Sequence, residues 1–353
     1  MAKTKKKIVP FSQVLEALQD IKRPFPAIHL HRFSDLTGSD MAKFKNIWQK
    51  VDANRKASFL EDLEELAESD TIVSFDELAK FALSDAEPRV RETALHLLWE
   101  CEDRKLIPTY LNMMEKDPDP MVRASAASAL GLFAYEGELE EIPTEILTNI
   151  EDHLLEVEMG RDEPIVRRRA LESLGYSSRP EVPGLIREAY HSPDKEWQAS
   201  ALFAMGRSAD ESWEKEILDR LNAQEPEVEL EAVKAAGQLE LQSAREPLLA
   251  KLDHYDELDE EVRLSTAWSL SQIGGEDVRE VLEKLMEAIQ DDEEAEYIEM
   301  AVENLAFTED LPGFGMFDPI ASIKEGARII DLSDLDGDEE DEDDLSDALD
   351  TQS

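Results

Sequence analysis

The pentapeptide Val-Arg-x-x-Ala returns along this chain at intervals too regular for chance and too short for a domain. It stands at Val90–Ala94, Val122–Ala126 and Val166–Ala170, and degenerate copies begin at Trp197, Val228, Val262 and Tyr297. The seven anchors lie 32, 44, 31, 31, 34 and 35 residues apart. Self-similarity on that scale is the mark of a stacked array, in which each unit buries its apolar face only against its neighbours.

The unit is helical. Four residues after the anchors stand Ala94, Ala126, Ala170, Ala201, Ala232, Thr266 and Ala301. Eight after stand Leu98, Leu130, Leu174, Met205, Ala236, Leu270 and Leu305. Offsets of zero, four, five and eight share one face of a helix with 3.6 residues per turn. Three residues before each anchor sits an acid: Glu87, Asp119, Glu163, Asp194, Glu225, Asp259 or Glu294. Pro88, Pro120, Pro164 and Pro226 follow four of them. An acid then proline suits a helix start, where free N–H groups favour a carboxylate and proline loses no useful donor. Nine past the anchor stand Gly131, Gly175, Gly206 and Gly237, expected in left-handed turns that close the helix. Shorter amphipathic segments intervene, at Ile107–Met114, Val182–Ala189, Trp213–Leu221, Pro247–Leu252 and Val278–Ile289. Each copy therefore reads as a helix–turn–helix pair, and no segment alternates long enough to argue a strand.

At Asp85–Ala94 and Asp117–Ala126, both Asp-x-x-Pro-x-Val-Arg-x-x-Ala, the chain resembles HEAT-repeat proteins, specifically the short repeats also found in phycobilisome lyases. The resemblance covers residues 70–307. It implies an all-α fold: a right-handed α-solenoid of about seven HEAT-like helix pairs, with an N-terminal capping pair. Departures are Gln198, Glu229 and Ile298 in place of arginine, and about a dozen added residues around Tyr135–Pro143. The resemblance implies a scaffold or adaptor; the alternative is a HEAT-like lyase or chaperone acting on a cofactor-bearing protein. Its shared motif is structural and transfers no catalytic residue. Arg91, Arg123, Arg167 and Arg263, one past the anchor, are expected to bridge to acids of the adjacent turn.

Charge divides the rest of the chain. Residues 1–35, the basic N-terminal segment, hold seven basic and three acidic side chains. Residues 36–69 read as a degenerate capping pair, with helices expected over 41–68, and 308–330 as a linker carrying Phe314, Met316 and Phe317. Residues 331–353 hold twelve acids and no base, and are expected to form a disordered acidic tail. Between 36 and 330 stand 30 bases and 68 acids, a net −38 that opposes nucleic-acid binding and anionic membrane surfaces. In the tail, Asp334, Asp336 and Asp338 alternate, but Gly337 falls at position four rather than six of a calcium loop. The single cysteine, Cys101, forms no internal disulfide, and the lysine-rich start lacks an apolar region after it. Both make the cytoplasm the default compartment.

No chemistry is nominated. The six histidines include no His-x3-His pair, and there is no Cys-x2-Cys, so zinc is not expected. Phosphate-binding glycine motifs are absent. Deoxyhypusine hydroxylases, HEAT-like enzymes with His-Glu iron ligands, are disfavoured because the chain has no His-Glu dipeptide. No catalytic, metal or cofactor site is expected, and the chain reads as a non-enzyme.

The register does nominate a surface. At about 100° per residue, offsets two, three and six lie opposite the buried stripe. The resemblance puts that face on the concave side of the solenoid. In the first three copies these positions are polar; later they include Phe203, Leu230, Leu264 and Trp268. With Arg168 and Arg169 nearby, these are the expected contacts for a basic or apolar protein segment; the alternatives are that they pack against the linker or tail, or that the face is shifted.

Overall fold

A computed structural model describes residues 9–70 and 72–310. The described residues form seventeen α-helices joined by short turns and 3₁₀ segments, and none of them is in a strand. The first are α1 (Phe11–Gln19), α2 (Gly38–Trp48), α3 (Ala53–Ser69), α4 (Asp76–Ala82), α5 (Pro88–His96) and α6 (Ile107–Lys116). Then come α7 (Pro120–Glu138), α8 (Thr144–Glu158), α9 (Pro164–Leu174), α10 (Val182–Tyr190), α11 (Lys195–Arg207) and α12 (Glu214–Leu218). The last are α13 (Pro226–Gln238), α14 (Arg245–Leu252), α15 (Glu260–Ile273), α16 (Val278–Ala288) and α17 (Asp292–Asp310). The remainder of the expected linker and the acidic tail lie outside the described residues, as do the N-terminal lysines.

Every anchor lies on an odd-numbered helix from α5 to α17. These helices pack side by side in sequence order, α5 on α7, α7 on α9 and so on to α15 on α17. The even-numbered helices pack against them from behind, as α6 does on α7 and α10 on α11. Val90, Val122, Val166, Val228 and Val262 are buried, as are Ala94, Ala126, Ala170, Ala201, Ala232 and Ala301. The small residue at offset four lets the helices approach; the larger one at offset eight fills the layer behind. The long 44-residue interval is accommodated by α7 and α8, which run to nineteen and fifteen residues.

The predicted starts are sorted by side-chain length. Asp119, Asp194 and Asp259 accept a hydrogen bond from the amide two residues on, whereas Glu87, Glu163 and Glu225 make no such bond. The extra methylene of glutamate carries its carboxylate past the amide. Glu294 falls inside α17, and Asp291 caps that helix instead.

The glycines correct the sequence reading. None of Gly131, Gly175, Gly206 and Gly237 has a positive φ; Gly131, Gly206 and Gly237 lie within helices, and Gly175 has φ −52°. Their function is close approach. A Cβ on Gly175 would lie 2.8 Å from the Ala204 Cα of α11, and one on Gly237 would lie 2.7 Å from the Ser269 Cβ of α15. Hydrogen lets α9 and α11 approach the backbone of the next odd helix at Gly175 and Gly206, and lets Ser173 and Ser269 side chains seat on Gly131 and Gly237.

Arg91, Arg123 and Arg263 form the expected ladder to acids of the adjacent turn, whereas Arg167 bonds a backbone carbonyl. Arg91 donates Nε and Nη2 to the two Asp117 oxygens at 2.8 and 2.6 Å, and Arg123 does the same to Asp162 at 2.8 and 2.6 Å. Arg263 reaches Glu294 at 2.8 Å, and Arg167 donates to the Glu158 carbonyl at 2.5 Å. A preceding rung uses Lys56, whose Nζ lies 2.7 Å from Asp85. Each aspartate also accepts an amide of its own turn, from Glu87, Asp119 or Glu163. One carboxylate thus closes a turn and ties it to the preceding unit, a bidentate arrangement arginine suits.

The N-terminal segment carries its own core. Phe33 lies with its ring centroid 5.5 Å from Phe11, 5.9 Å from Phe25, 5.9 Å from Phe44 and 4.7 Å from Phe59. This edge-to-face cluster seats α1 and the turn after it on α2 and α3, and seals the apolar end of the array.

Candidate functional site

The exposed sides of the odd helices form one groove of about 730 Å³, running from α3 to α15. Its lining repeats in register. Offset two supplies Glu92, Ala124, Arg168, Ala199 and Leu230; offset six supplies His96, Ser128, Glu172, Phe203 and Lys234. The face expected from the periodicity is therefore the groove over five successive copies.

Sequence reasoning missed the two ends of that stripe. Met121, Ile165, Glu227 and Glu261 line the groove one residue before the anchor, and Leu132 and Arg207 line it ten after. Both offsets continue the same helical face by one turn and were readable from the period. Glu64 and Glu68 of α3 also enter, outside the repeat, and no spacing signalled them.

Of the six predicted contacts, four come together here: Arg168, Arg169, Phe203 and Leu230. Leu264 and Trp268 do not line the groove, and the expectation that they face solvent is corrected. They are 6% and 2% exposed. The Trp268 ring lies 6.0 Å from that of Tyr297 on α17, and its helix is flanked by α13 and α17.

The groove changes character along its length. At the α3–α5 end stand Glu64, Glu68 and Glu92 around His96. His96 Nδ1 is 3.3 Å from Glu64, and Nε2 is 3.2 Å from the Ser125 hydroxyl. Burial alone would lower the His96 pKa, but the Glu64 hydrogen bond and the Glu64 and Glu92 charges raise it above the usual histidine value. Burial raises the Glu68 carboxyl above the ordinary glutamate value, and Glu64 and Glu65 add to it. Burial likewise raises Glu92, with His96 partly offsetting. Carboxylates gathered in this way, Glu68 beside Glu64 and Glu65, gain from an arriving cation, which offsets their mutual repulsion.

In the middle, Arg168 reaches Glu196 at 2.8 Å. Arg169 donates to Glu172 at 2.5 Å, and Glu172 also accepts from the Ser200 hydroxyl at 2.6 Å. The Glu172 charge, foremost, holds the Arg169 guanidinium above its usual pKa. The Arg207 guanidinium stacks 3.9 Å from the Phe203 ring centroid. Toward α15, Lys234 lies 3.7 Å from Glu231 and 4.0 Å from Glu261. The floor is small and closely packed: the Ser173 hydroxyl donates to the Ala127 carbonyl at 2.9 Å.

Among the described residues no cluster of three or more His, Cys, Asp or Glu side chains is placed to hold a metal ion. Cys101 is outside the groove, and burial pushes its thiol pKa up to about 11, with the Asp76 hydrogen bond adding. No helix among the described residues is long and apolar enough to cross a membrane.

Comparison with known proteins agrees with this architecture. The family model for HEAT repeats matches residues 75–143 and 214–306, on either side of α8–α11. No curated protein matches the sequence significantly. Among solved structures, the E. coli protein YIBA is similar at 15% identity and TM-score 0.38, over 85% of this chain and 99% of that one. Human deoxyhypusine hydroxylase in complex with glycerol shares 15% identity at TM-score 0.33, over 83% and 94%. Kap121p bound to Nup53p shares 16% identity at TM-score 0.33, over 86% of this chain and 35% of that one. Likeness at this level carries no argument about activity or partner.

Proposed function

We propose a function from the premise that this is a HEAT-repeat protein: it is a noncatalytic interaction scaffold whose groove receives a protein segment bearing basic and apolar side chains. The observation that carries this is the pairing, within one groove, of the acids Glu64, Glu68 and Glu92 with the half-buried Phe203 and Leu230. The acids recruit lysine or arginine and set the orientation. Phe203, held by Arg207, and Leu230 offer apolar anchoring, the usual source of interface affinity. The net −38 of residues 36–330 sets the long-range field against nucleic acid and in favour of such a segment.

The test uses the full chain and fluorescein-labelled fifteen-residue peptides that mix lysine with leucine and phenylalanine. Fluorescence polarisation is expected to show saturable binding that weakens with salt. It is expected to fall about tenfold in Glu68→Gln/Glu92→Gln/Phe203→Ala, and to be absent for peptides with glutamate in place of lysine. A triple variant that keeps its helicity and melting temperature and binds as tightly as the unmodified chain overturns the proposal.

A further inference from the structure

The charges that line the groove are sorted by helix. At the α3–α5 end it is lined by Glu64, Glu68 and Glu92, and by no lysine or arginine. No charged residue of α7 lines it; Ala124, Ser125 and Ser128 stand there instead. At α9 and α11 come Arg168, Arg169 and Arg207 against one acid, Glu172. Phe203 and Leu230 follow, and at α13–α15 Glu227, Glu231 and Glu261 stand against Lys234. The lining therefore runs negative, neutral, positive, apolar and negative again. The positive stretch is not used up by its own acids. Arg168 donates Nη2 to Glu196, whose side chain is 59% exposed and does not line the groove. The Arg168 Nε has no hydrogen-bond partner, whereas Arg91 and Arg123 each direct Nε and Nη2 to one carboxylate. The donor fork of Arg168 is thus only half used, and a guanidinium binds carboxylate best with two prongs.

We infer that the occupant of the groove is an extended protein segment with a carboxylate near its middle and a base toward each end. The inference rests on the proposed function and adds the order and spacing of the segment's charges. Neighbouring odd helices lie about 10 Å apart and an extended chain rises about 3.3 Å per residue, so it crosses one odd helix about every three residues. From α5 to α9 is two such steps, and from α9 to α13 two more. A base over Glu92 is then followed about six residues on by an acid over Arg168, and about six further by a base over Glu227 and Glu231. Apolar side chains belong between the acid and the second base, opposite Phe203 and Leu230. The extended form follows from size: about 730 Å³ shared from α3 to α15 is too little for a helix about 10–12 Å across. A uniformly basic segment fits less well, because its middle meets Arg168, Arg169 and Arg207 with like charge, and misplaced like charges are strongly unfavourable.

The experiment is fluorescence polarisation on the full chain with two labelled peptides of about fifteen residues, built on the spacing above. Both carry a lysine toward each end, and leucine and phenylalanine between the centre and one end. They differ only at the central position, which is glutamate in one and lysine in the other. Long-range attraction to a chain of net charge −46 favours the all-lysine peptide. The inference predicts the opposite, with the glutamate peptide binding about tenfold more tightly. Equal affinities, or tighter binding of the all-lysine peptide, overturn the inference and leave the scaffold standing. Saturable binding of neither peptide overturns both. Arg168→Gln, checked for unchanged helicity and melting temperature, is expected to remove most of the glutamate peptide's advantage; an undiminished advantage in that variant overturns the placement of the acid. The peptide comparison on the unmodified chain is independent of the variant's stability.

Discussion

Alanine at Gly175 tests whether the recurring glycines are turn residues or contact points. In a helical conformation, Gly→Ala normally stabilises by about 0.5–1 kcal/mol, since alanine has less backbone freedom to lose. Gly175 is right-handed, so that gain is available to it. Against it stands the new Cβ, 2.8 Å from both the Cα and the carbonyl oxygen of Ala204, where ordinary contact begins at 3.4 Å. Both obstructing atoms are backbone and cannot rotate away, so α9 and α11 must separate by roughly half an ångström. Overpacking of this kind costs about 1–3 kcal/mol, which outweighs the propensity gain and leaves a net loss near 1–2 kcal/mol. Gly184, on α10, is the control: nothing lies within 4 Å of its added Cβ, and Gly184→Ala is expected to stabilise by about 0.5 kcal/mol. Urea unfolding followed by circular dichroism should move the two midpoints in opposite directions. A Gly175→Ala chain as stable as Gly184→Ala, or more so, refutes the close-approach argument.

Further outcomes follow from the ladder and the buried groups. Arg123→Ala should destabilise by about 1–3 kcal/mol in urea, because it strands the Asp162 carboxylate and the Asp117 carbonyl. Arg123→Lys should recover little, lacking the two-pronged donor. The Arg123 hydrogen bonds hold the Asp162 carboxyl below the ordinary aspartate value, so its contribution is present above about pH 4 and is lost as pH falls through the lowered folded-state pKa. Asp162→Asn should therefore be less stable than the unmodified chain at pH 7, and the two stability curves should converge in acid; parallel curves would contradict this. With its pKa near 11, Cys101 should react with iodoacetamide at pH 7.5 many times more slowly in the native chain than in urea.

How much was legible follows from what each feature depends on. The odd helices, their buried stripe and the groove register depend only on a 3.6-residue period, which the repeated anchors display directly. The ladder was legible as far as its arginines and the presence of acids across the turn. Asp117, Asp162 and Glu294 as particular partners required the turn geometry. The glycines were misread because one residue type serves both a left-handed turn and a backbone contact, and only φ and the neighbouring helix distinguish them. Leu264 and Trp268 were misplaced for a related reason. Periodicity says which way a side chain points and nothing about what lies over it. The aromatic cluster around Phe33 was invisible to a repeat search because it belongs to no repeat.

The central claim is that ligand binds on the odd helices, between the acids of α3–α5 and Phe203. Hydrogen-exchange mass spectrometry of the full chain, with and without saturating lysine-bearing peptide, tests it most directly. Slower exchange is predicted in α5, α7, α9 and α11, with no change in the outward α6, α8 and α10. Protection confined to the outward helices, or absent from α5 and α11 at saturation, would contradict the account.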